Sequence, residues 1–320
     1  MSVRNGLGSL LLSGLLCFSM SACSSAPAED SAASGNQSAQ EETAEKVRVL
    51  APQGAPALAV AGAENSDQAA VEYVAGQDVL VSELAKSDSE YDLIAAPINL
   101  GVKSWSEAEN FELAGVLTWG NLYIVSSDET WNEEGKTLAA FGEGAVPGMV
   151  FGQLYPETNC EVVYYPSVAE ASQALQAGKA DAALLAQPAA FGAISSSKDS
   201  ETPLAIQEDL QTLWQTEHET DEKGYPQAAL FVKKGAEEEA RPVIEEIQAF
   251  LESADDNTVE AAVKKAGAEN LGIPSEQAAI KTWPQQNIHY KDAVEAKGDI
   301  ETFLAIFNMS LPTDMIYTAE

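Results

Sequence analysis

The sequence predicts an α/β fold of two lobes joined by paired crossings. Short apolar runs alternate with helical patterns from residue 47 to about 101, and the same alternation starts afresh after Asp128 and runs to about 225. Residues 114–127, AGVLTWGNLYIVSS, are apolar, nearly uncharged and free of proline, which reads as a buried strand. A second apolar run at 228–232, AALFV, brackets the intervening segment from its other side. The two runs are the crossings, and the polar kink Trp119-Gly120-Asn121 interrupts the first where a cleft would open.

Residues 47–51 (VRVLA) are short and β-branched, and the loop Pro52-Gln53-Gly54-Ala55-Pro56 leads into ALAVAGA. A strand, a Gly/Pro loop and a helix with Pro56 in its first turn open an α/β unit. A second strand follows at 70–74, then a helix over 77–86 with Val79, Leu80 and Leu84 on one face. A third strand at 91–96 ends in the loop Pro97-Ile98-Asn99-Leu100-Gly101. Repeated alternation implies a parallel sheet, whose ligands sit beyond the carboxyl ends of the strands. The second lobe repeats the plan on a smaller scale: strand 136–141, loop 142–146, helix 147–154, strand 161–165, helix 167–177, and a buried strand 180–186 that stops at Gln187-Pro188. Ser167 and Glu170 have capping-box spacing and Gly178 follows the last turn, so both helix ends are signalled. Beyond 232 the tail reads as helical, with one face of Val243, Ile244, Ile247, Phe250 and Leu251 and another of Ile300, Phe303, Leu304 and Phe307 turned to the core.

Residues 1–22 carry Arg4, an apolar run and small residues, the pattern of a secretory signal too short for a comfortable membrane span. They end in Met20-Ser21-Ala22-Cys23, which resembles the bacterial lipobox with Met20 where leucine is usual. On that reading Cys23 takes a diacylglycerol and becomes the new N-terminus; an ordinary signal cut after Ala26 or Ala28 is the alternative. Residues 23–46 are rich in Ser, Ala, Glu and Gln and lack the apolar side chains to bury a core, so they read as a flexible acidic tether. The expected division is therefore signal peptide 1–22, tether 23–46, first part of lobe one 47–122, lobe two 123–226, and the return strand and helical tail of lobe one 227–320.

Lys plus Arg number 17 against 50 Asp plus Glu, a net charge of -33 that repels phosphate backbones and excludes nucleic acid as a partner. The charge itself reads as a solubility device. Cys17 lies in the leader and Cys23 at its end, where the lipid would take its thiol, so no disulfide framework is expected inside the mature chain. Acidic neighbours raise the thiol pKa of Cys160 and argue against reactivity. There is no HExxH, no nucleophile elbow and no Ser or Cys beside a base. His218, in Glu217-His218-Glu219-Thr220-Asp221-Glu222, belongs either to a metal cluster or to a charged solvated loop, and it lacks a second histidine at ligand spacing. His289 lies in an alternating stretch and reads as a satisfied polar residue. Neither a metal nor a cofactor is expected. The glycine run Gly142 to Gly148 has its third glycine one residue late for a dinucleotide loop, and Glu143 would repel a pyrophosphate. What remains is either a loop offering backbone amides to a small ligand or a tight turn.

Taken in order, VRVLAPQGAPALA, DLIAAPINLG, GVLTWGNLYIVS, GKTLAAFGEGAVPG and QAGKADAALLAQP, behind a lipobox and an acidic tether, resemble the solute-binding lipoproteins of ABC importers. The subgroup is the one that includes nitrate-, sulfonate- and thiamine-pyrimidine-binding proteins. The resemblance implies a type II periplasmic-binding-protein fold that closes on a small-molecule solute between its lobes and docks on ABC permease subunits. It implies a non-enzymatic, extracytoplasmic monomer held at the membrane by its lipid, and it fixes no substrate.

The strand-end loops supply the candidate ligand residues: Gln53, Gly54 and Ala55; Pro97 and Asn99; Trp119 and Asn121; Gly144 and Ala145; and Gln187. None of these loops contains Arg, Lys or His, so an oxyanion would lack a cationic partner. The expected solute is uncharged or weakly charged and partly planar, lying on Trp119 and oriented by amides. Trp119 has a second reading, as a seal in the joint between the lobes. Two other classes of function stay open: an enzyme on the same fold acting on a pyrimidine-type precursor through Cys160 or His218, and a receptor-coupled sensor domain. The enzyme reading requires one of those two residues to face the cleft.

Overall fold

The computed structural model describes residues 45–318. The signal peptide, Cys23 and nearly all of the tether lie outside the described residues. The chain begins with β1 (Val47–Pro52), α1 (Ala55–Val60), β2 (Ala69–Val74), α2 (Asp78–Leu84), β3 (Leu93–Pro97), α3 (Ile98–Ala108) and β4 (Phe111–Thr118). After Trp119-Gly120-Asn121 come β5 (Leu122–Ser126), β6 (Thr137–Phe141), α4 (Val146–Leu154), β7 (Glu161–Tyr165), α5 (Val168–Gln176), β8 (Ala182–Ala186), α6 (Ala189–Ser197), β9 (Ala205–Asp209) and α7 (Leu210–His218). The chain then returns through β10 (Ala228–Lys233), α8 (Glu237–Glu252), α9 (Asp256–Ala266), α10 (Glu276–Gln286), β11 (Ile288–Asp292) and α11 (Lys297–Ala305).

Two sheets result. The first has six strands in the order β11-β4-β10-β3-β1-β2, and the second has five in the order β7-β6-β8-β5-β9. Their plans match: β2-β1-β3 and β7-β6-β8 are parallel sets, and each meets an antiparallel strand next, β10 in the first sheet and β5 in the second. The apolar stretch that predicts one long kinked strand is β4 and β5, shared between the sheets. Every residue of β5 is buried, as is all of β10 except Lys233. Burying a Val, Leu, Ile or Phe contributes roughly 1.5–3 kcal/mol, which accounts for near-continuous apolar runs in strands covered on both faces.

Local signals act as read. Pro56 stands in the first turn of α1, Ser167 accepts from the Glu170 amide at the start of α5, and Gly178 beyond that helix has φ +66°. Four expectations need correction. The tail is not purely helical, because the alternating Ile288-His289-Tyr290 forms β11 at the edge of the first sheet against β4. The loop expected at 97–101 is the start of α3, capped by Pro97, whose fixed φ suits a helix entry. Val79 is 43% exposed while Leu80 and Leu84 are buried, so the apolar face of α2 is narrower than its sequence pattern. His218 closes α7 instead of lying in a loop, with Glu219 in the left-handed conformation behind it. One apolar cluster runs from β4 through Trp119 and Leu122 into β6 and α4, so a shared core joins the sheets.

Candidate ligand-binding site

Strand register places the loops. Ala228 lies opposite Pro97 on one side and Thr118 on the other, and Ile288 also pairs with Thr118. The ends of β3 and β4 therefore share one edge of the first sheet with the starts of β10 and β11. In the second sheet Leu122 pairs with Ala186 and Tyr123 with Asp209, which puts the start of β5 on the edge where β8 and β9 end. Because β6 runs parallel to β8, Gly142 lies on that edge too. These are the two edges that Trp119-Gly120-Asn121 connects, so the carboxyl-end loops of both lobes gather around the crossing.

The crossing is held from two sides. The Trp119 amide donates to the Asn287 carbonyl (2.9 Å), and the Trp119 carbonyl accepts from the Tyr225 amide (3.1 Å) and from Asn287 Nδ2 (2.7 Å). The indole is fully buried; Nε1 donates to the His289 carbonyl (3.2 Å), and the ring stacks on the His289 imidazole with centroids 5.1 Å apart and planes 5° apart. Lys291 Nζ lies 5.4 Å from the centre of the same indole. His289 Nε2 is 3.6 Å from Glu222 Oε1. Burial holds the His289 pKa below its ordinary value, with Glu222 opposing. Gly120 has φ +86°, and a Cβ there would come within 2.5 Å of the Tyr225 ring; at Gly224, φ +96°, a Cβ would lie 1.9 Å from the Trp119 carbonyl. Tyr225 in turn stacks on Phe303 at 5.5 Å.

Neutral amides occupy the space around the crossing. Asn121 Nδ2 donates to the Gln187 carbonyl (3.3 Å) and to Gln286 Oε1 (3.2 Å), and the Asn121 carbonyl accepts from the Gln187 amide (3.1 Å). Gln187 Oε1 accepts from the Phe191 amide (3.1 Å) inside the first turn of α6. Gln211, fully buried on α7, grips Leu122 through both its amide (2.8 Å) and its carbonyl (3.1 Å). On the first lobe, the Ile98 amide donates to the Gln227 carbonyl (3.2 Å), which sets Gln227 beside Pro97 and Asn99. Three buried amide oxygens here have no hydrogen-bond partner, Asn99 Oδ1, Asn121 Oδ1 and Gln227 Oε1, as do Tyr225 Oη and Glu222 Oε2 beside the crossing. A buried acceptor without a donor is costly, and a bound water or a solute donor would each relieve it.

Of the residues predicted for the site, Asn121 and Gln187 are in direct contact, and Pro97 and Asn99 stand beside Gln227. Gln53 is turned elsewhere: its Nε2 donates to the Glu269 (3.3 Å) and Asn270 (3.1 Å) carbonyls, while the Gly54 amide donates to Leu271 (2.9 Å). Ala55 is buried at the start of α1. Gly144, at φ +72°, faces open space, and the Ala145 amide is bonded within its own loop to Gly142 (2.9 Å). Sequence reasoning missed Gln227 and the α10 residues. Gln227 had a signal, since it directly precedes the return strand, whereas Thr282 and Gln286 sit on a helix too distant in sequence to be tied to the crossing.

Cys160 stands just before β7, whose first residue pairs with the first of β6, so it lies at the edge opposite Gly142. Burial is the main cause that pushes its thiol pKa up, and Asp181 adds to it. His218 packs its ring 4.0 Å from that of Trp214, and burial lowers its pKa. Among the described residues no group of three or more His, Cys, Asp or Glu is placed to hold a metal ion, and no helix is long and apolar enough to cross a membrane. Open hollows among the described residues lie away from the crossing. One of about 520 Å³ lies between Asp128, Lys136 and Ser196, and one of about 670 Å³ lies around Arg48, Asp92 and Lys233. In the first the charges are already paired, Lys136 with Asp128 at 2.8 Å and with Asp181 at 3.9 Å.

The architecture is the two-lobe α/β fold of the periplasmic-binding-protein kind. Solved structures share it. An ABC transporter protein from Parabacteroides distasonis is 22% identical, with a TM-score of 0.70 over 86% of this chain and 99% of that one. The periplasmic aliphatic sulphonate binding protein of Escherichia coli is 12% identical, with a TM-score of 0.62 over 86% of this chain and 93% of its own. The zinc-bound ligand-binding component of an ABC-type import system from Staphylococcus aureus is 11% identical, with a TM-score of 0.58 over 86% and 96%. At these identities the likeness is one of fold. No family model matches the chain, and no curated protein matches it.

Proposed function

We propose that this protein is the extracytoplasmic solute-binding component of an ABC importer, anchored to the cell membrane through a lipid on Cys23, and that it captures a small, uncharged or weakly charged solute between its lobes. The single observation that carries the reading is the gathering of neutral amides, Asn99, Asn121, Gln187 and Gln227, on the two sheet edges joined by the crossing, three of them with an unpartnered buried oxygen. Likeness of fold to importer proteins supports the transport role. Asn99, Asn121, Gln187 and Gln227 touch the solute, and the open loop at Gly144 and Ala145 covers it. Of the two roles open to Trp119, the buried ring stacked on His289 supports the seal. Gln53, tied to 269–270, orients the first loop instead of contacting the solute. The enzyme reading loses Cys160, which stands at the far edge of its sheet.

A thermal-shift screen tests this reading. A cognate solute at a hundred times its Kd should stabilise the fold by about 2.7 kcal/mol. Neutral polar heterocycles and small amides should give the shift, and nitrate, sulfate and sulfonates should not. A shift from the oxyanions alone would refute the neutral-solute reading. Cys23→Ser should release the protein from the membrane fraction; its retention there would refute the anchor.

A further inference from the structure

A relay of hydrogen bonds sets the orientation of the Asn121 amide. Thr282 on α10 donates its hydroxyl to the Ala278 carbonyl (2.7 Å), so Oγ1 is left to accept from Gln286 Nε2 (3.2 Å). Gln286 must then turn Oε1 toward Asn121, which presents Nδ2 to it (3.2 Å) and to the Gln187 carbonyl (3.3 Å). Each link allows one direction only, because a hydroxyl has a single proton and an amide has donors on one side and an acceptor on the other. The relay is sealed from solvent: Thr282 and Gln286 are 0% exposed and Asn121 is 4% exposed. At its end Asn121 Oδ1 is buried and, among the described residues, has no donor to accept from.

Resting on the solute-binding reading above, we infer that the site selects solutes bearing hydrogen-bond donors, N–H groups among them, with Asn121 Oδ1 as the specificity-determining acceptor and Thr282 and Gln286 as positioning residues that never touch the solute. Asn99 Oδ1 and Gln227 Oε1, also buried and unpartnered, add acceptors of the same polarity from the first lobe. The ligand class is therefore a small neutral molecule presenting two or more hydrogen-bond donors, such as an amine, amide or amino-substituted heterocycle, and not an acceptor-only molecule. A site built to accept a hydrogen bond rejects an analogue lacking the donor, because the buried oxygen is then left unpaired.

The test uses the soluble chain and matched probes: urea, 2-aminopyridine, 4-aminopyrimidine and nicotinamide, each against its fully N-methylated counterpart, with nitrate and methanesulfonate as oxyanion controls. At least one N–H probe should bind roughly tenfold or more tightly than its methylated partner. Thr282→Val, which removes the anchor of the relay without contacting the solute, should collapse that ratio toward one. Thr282→Ser, which keeps the hydroxyl, should preserve it, and this separates loss of orientation from a general loss of folding. If Oδ1 is filled only by a buried water, N–H and methylated probes will bind alike, which overturns the inference and leaves the solute-binding reading standing. An unchanged ratio in Thr282→Val overturns the relay. Binding of the oxyanions alone overturns both this inference and the neutral-solute reading, and silence of every probe counts against both.

Discussion

Gly224 and Gly144 both carry a positive φ, yet only one faces a wall. A Cβ at Gly224 would lie 1.9 Å from the Trp119 carbonyl, whereas at Gly144 nothing stands within 4 Å. Backbone strain alone costs about 1 kcal/mol in each case, and the clash at Gly224 adds to it. Gly224→Ala should therefore lower unfolding stability by roughly 2–4 kcal/mol and Gly144→Ala by about 1 kcal/mol, read from urea titrations. Equal costs would remove the crossing contact from the account. His289 makes a second residue-scale prediction. Its folded pKa lies below the ordinary value of about 6.5, so the unfolded chain binds its proton more readily. The neutral ring contributes stability that is fully present above that ordinary value and is lost as pH falls toward the folded pKa. His289→Gln should flatten this part of the stability profile between about pH 7 and the folded pKa; the effect is modest because the side chain is 39% exposed. His218 shifts in the same direction, so the variant leaves a residual slope.

At the scale of elements, α10 links the lobes. It packs in the first lobe, with Ala279 in that core, yet its last turn takes hydrogen bonds from the second: the Tyr123 hydroxyl donates to the Gln285 carbonyl (2.8 Å) and Asn121 to Gln286. Burial pushes the Tyr123 pKa well above its usual value, so the hydroxyl remains a donor across the working range of pH. Tyr123→Phe should cost about 0.5–1.5 kcal/mol and leave far-UV circular dichroism unchanged. No loss of stability would mean that the link carries no energy. This clasp was not legible in the sequence, because nothing local ties residue 285 to residue 123. The strands were legible, since their apolar runs and Gly/Pro punctuation are short-range signals; Asn99, Asn121 and Gln187, which the proposed site uses, could be picked out because they follow strand ends. β11 was misread because five alternating residues between helical patterns carry little weight, and α3 because Pro97 marks a helix entry as well as a turn. Gln53 is expected at the site from its position after β1, and its bonds to residues 269–270 could not be foreseen because the partners lie more than 200 residues away.

For the whole molecule, the matched plans of the two sheets and the crossings with Gly120 and Gly224 at their bends make a hinge the natural mode of response. Scattering profiles with and without a saturating solute should show a smaller radius of gyration in the bound form, and an unchanged radius would count against closure. The net charge of -33 keeps such a molecule dispersed and away from anionic surfaces, which leaves the lipid on Cys23 as the proposed means of holding it near a permease. The central claim is that solute is held by both lobes at once, around Asn121. Amide hydrogen exchange, measured with and without the solute that gives the thermal shift, tests it most directly. Protection should rise together at 97–101 and 225–228 on the first lobe and at 142–146 and 187–191 on the second. Protection confined to one lobe, above all to the hollow lined by Asp128, Lys136 and Ser196, would contradict it.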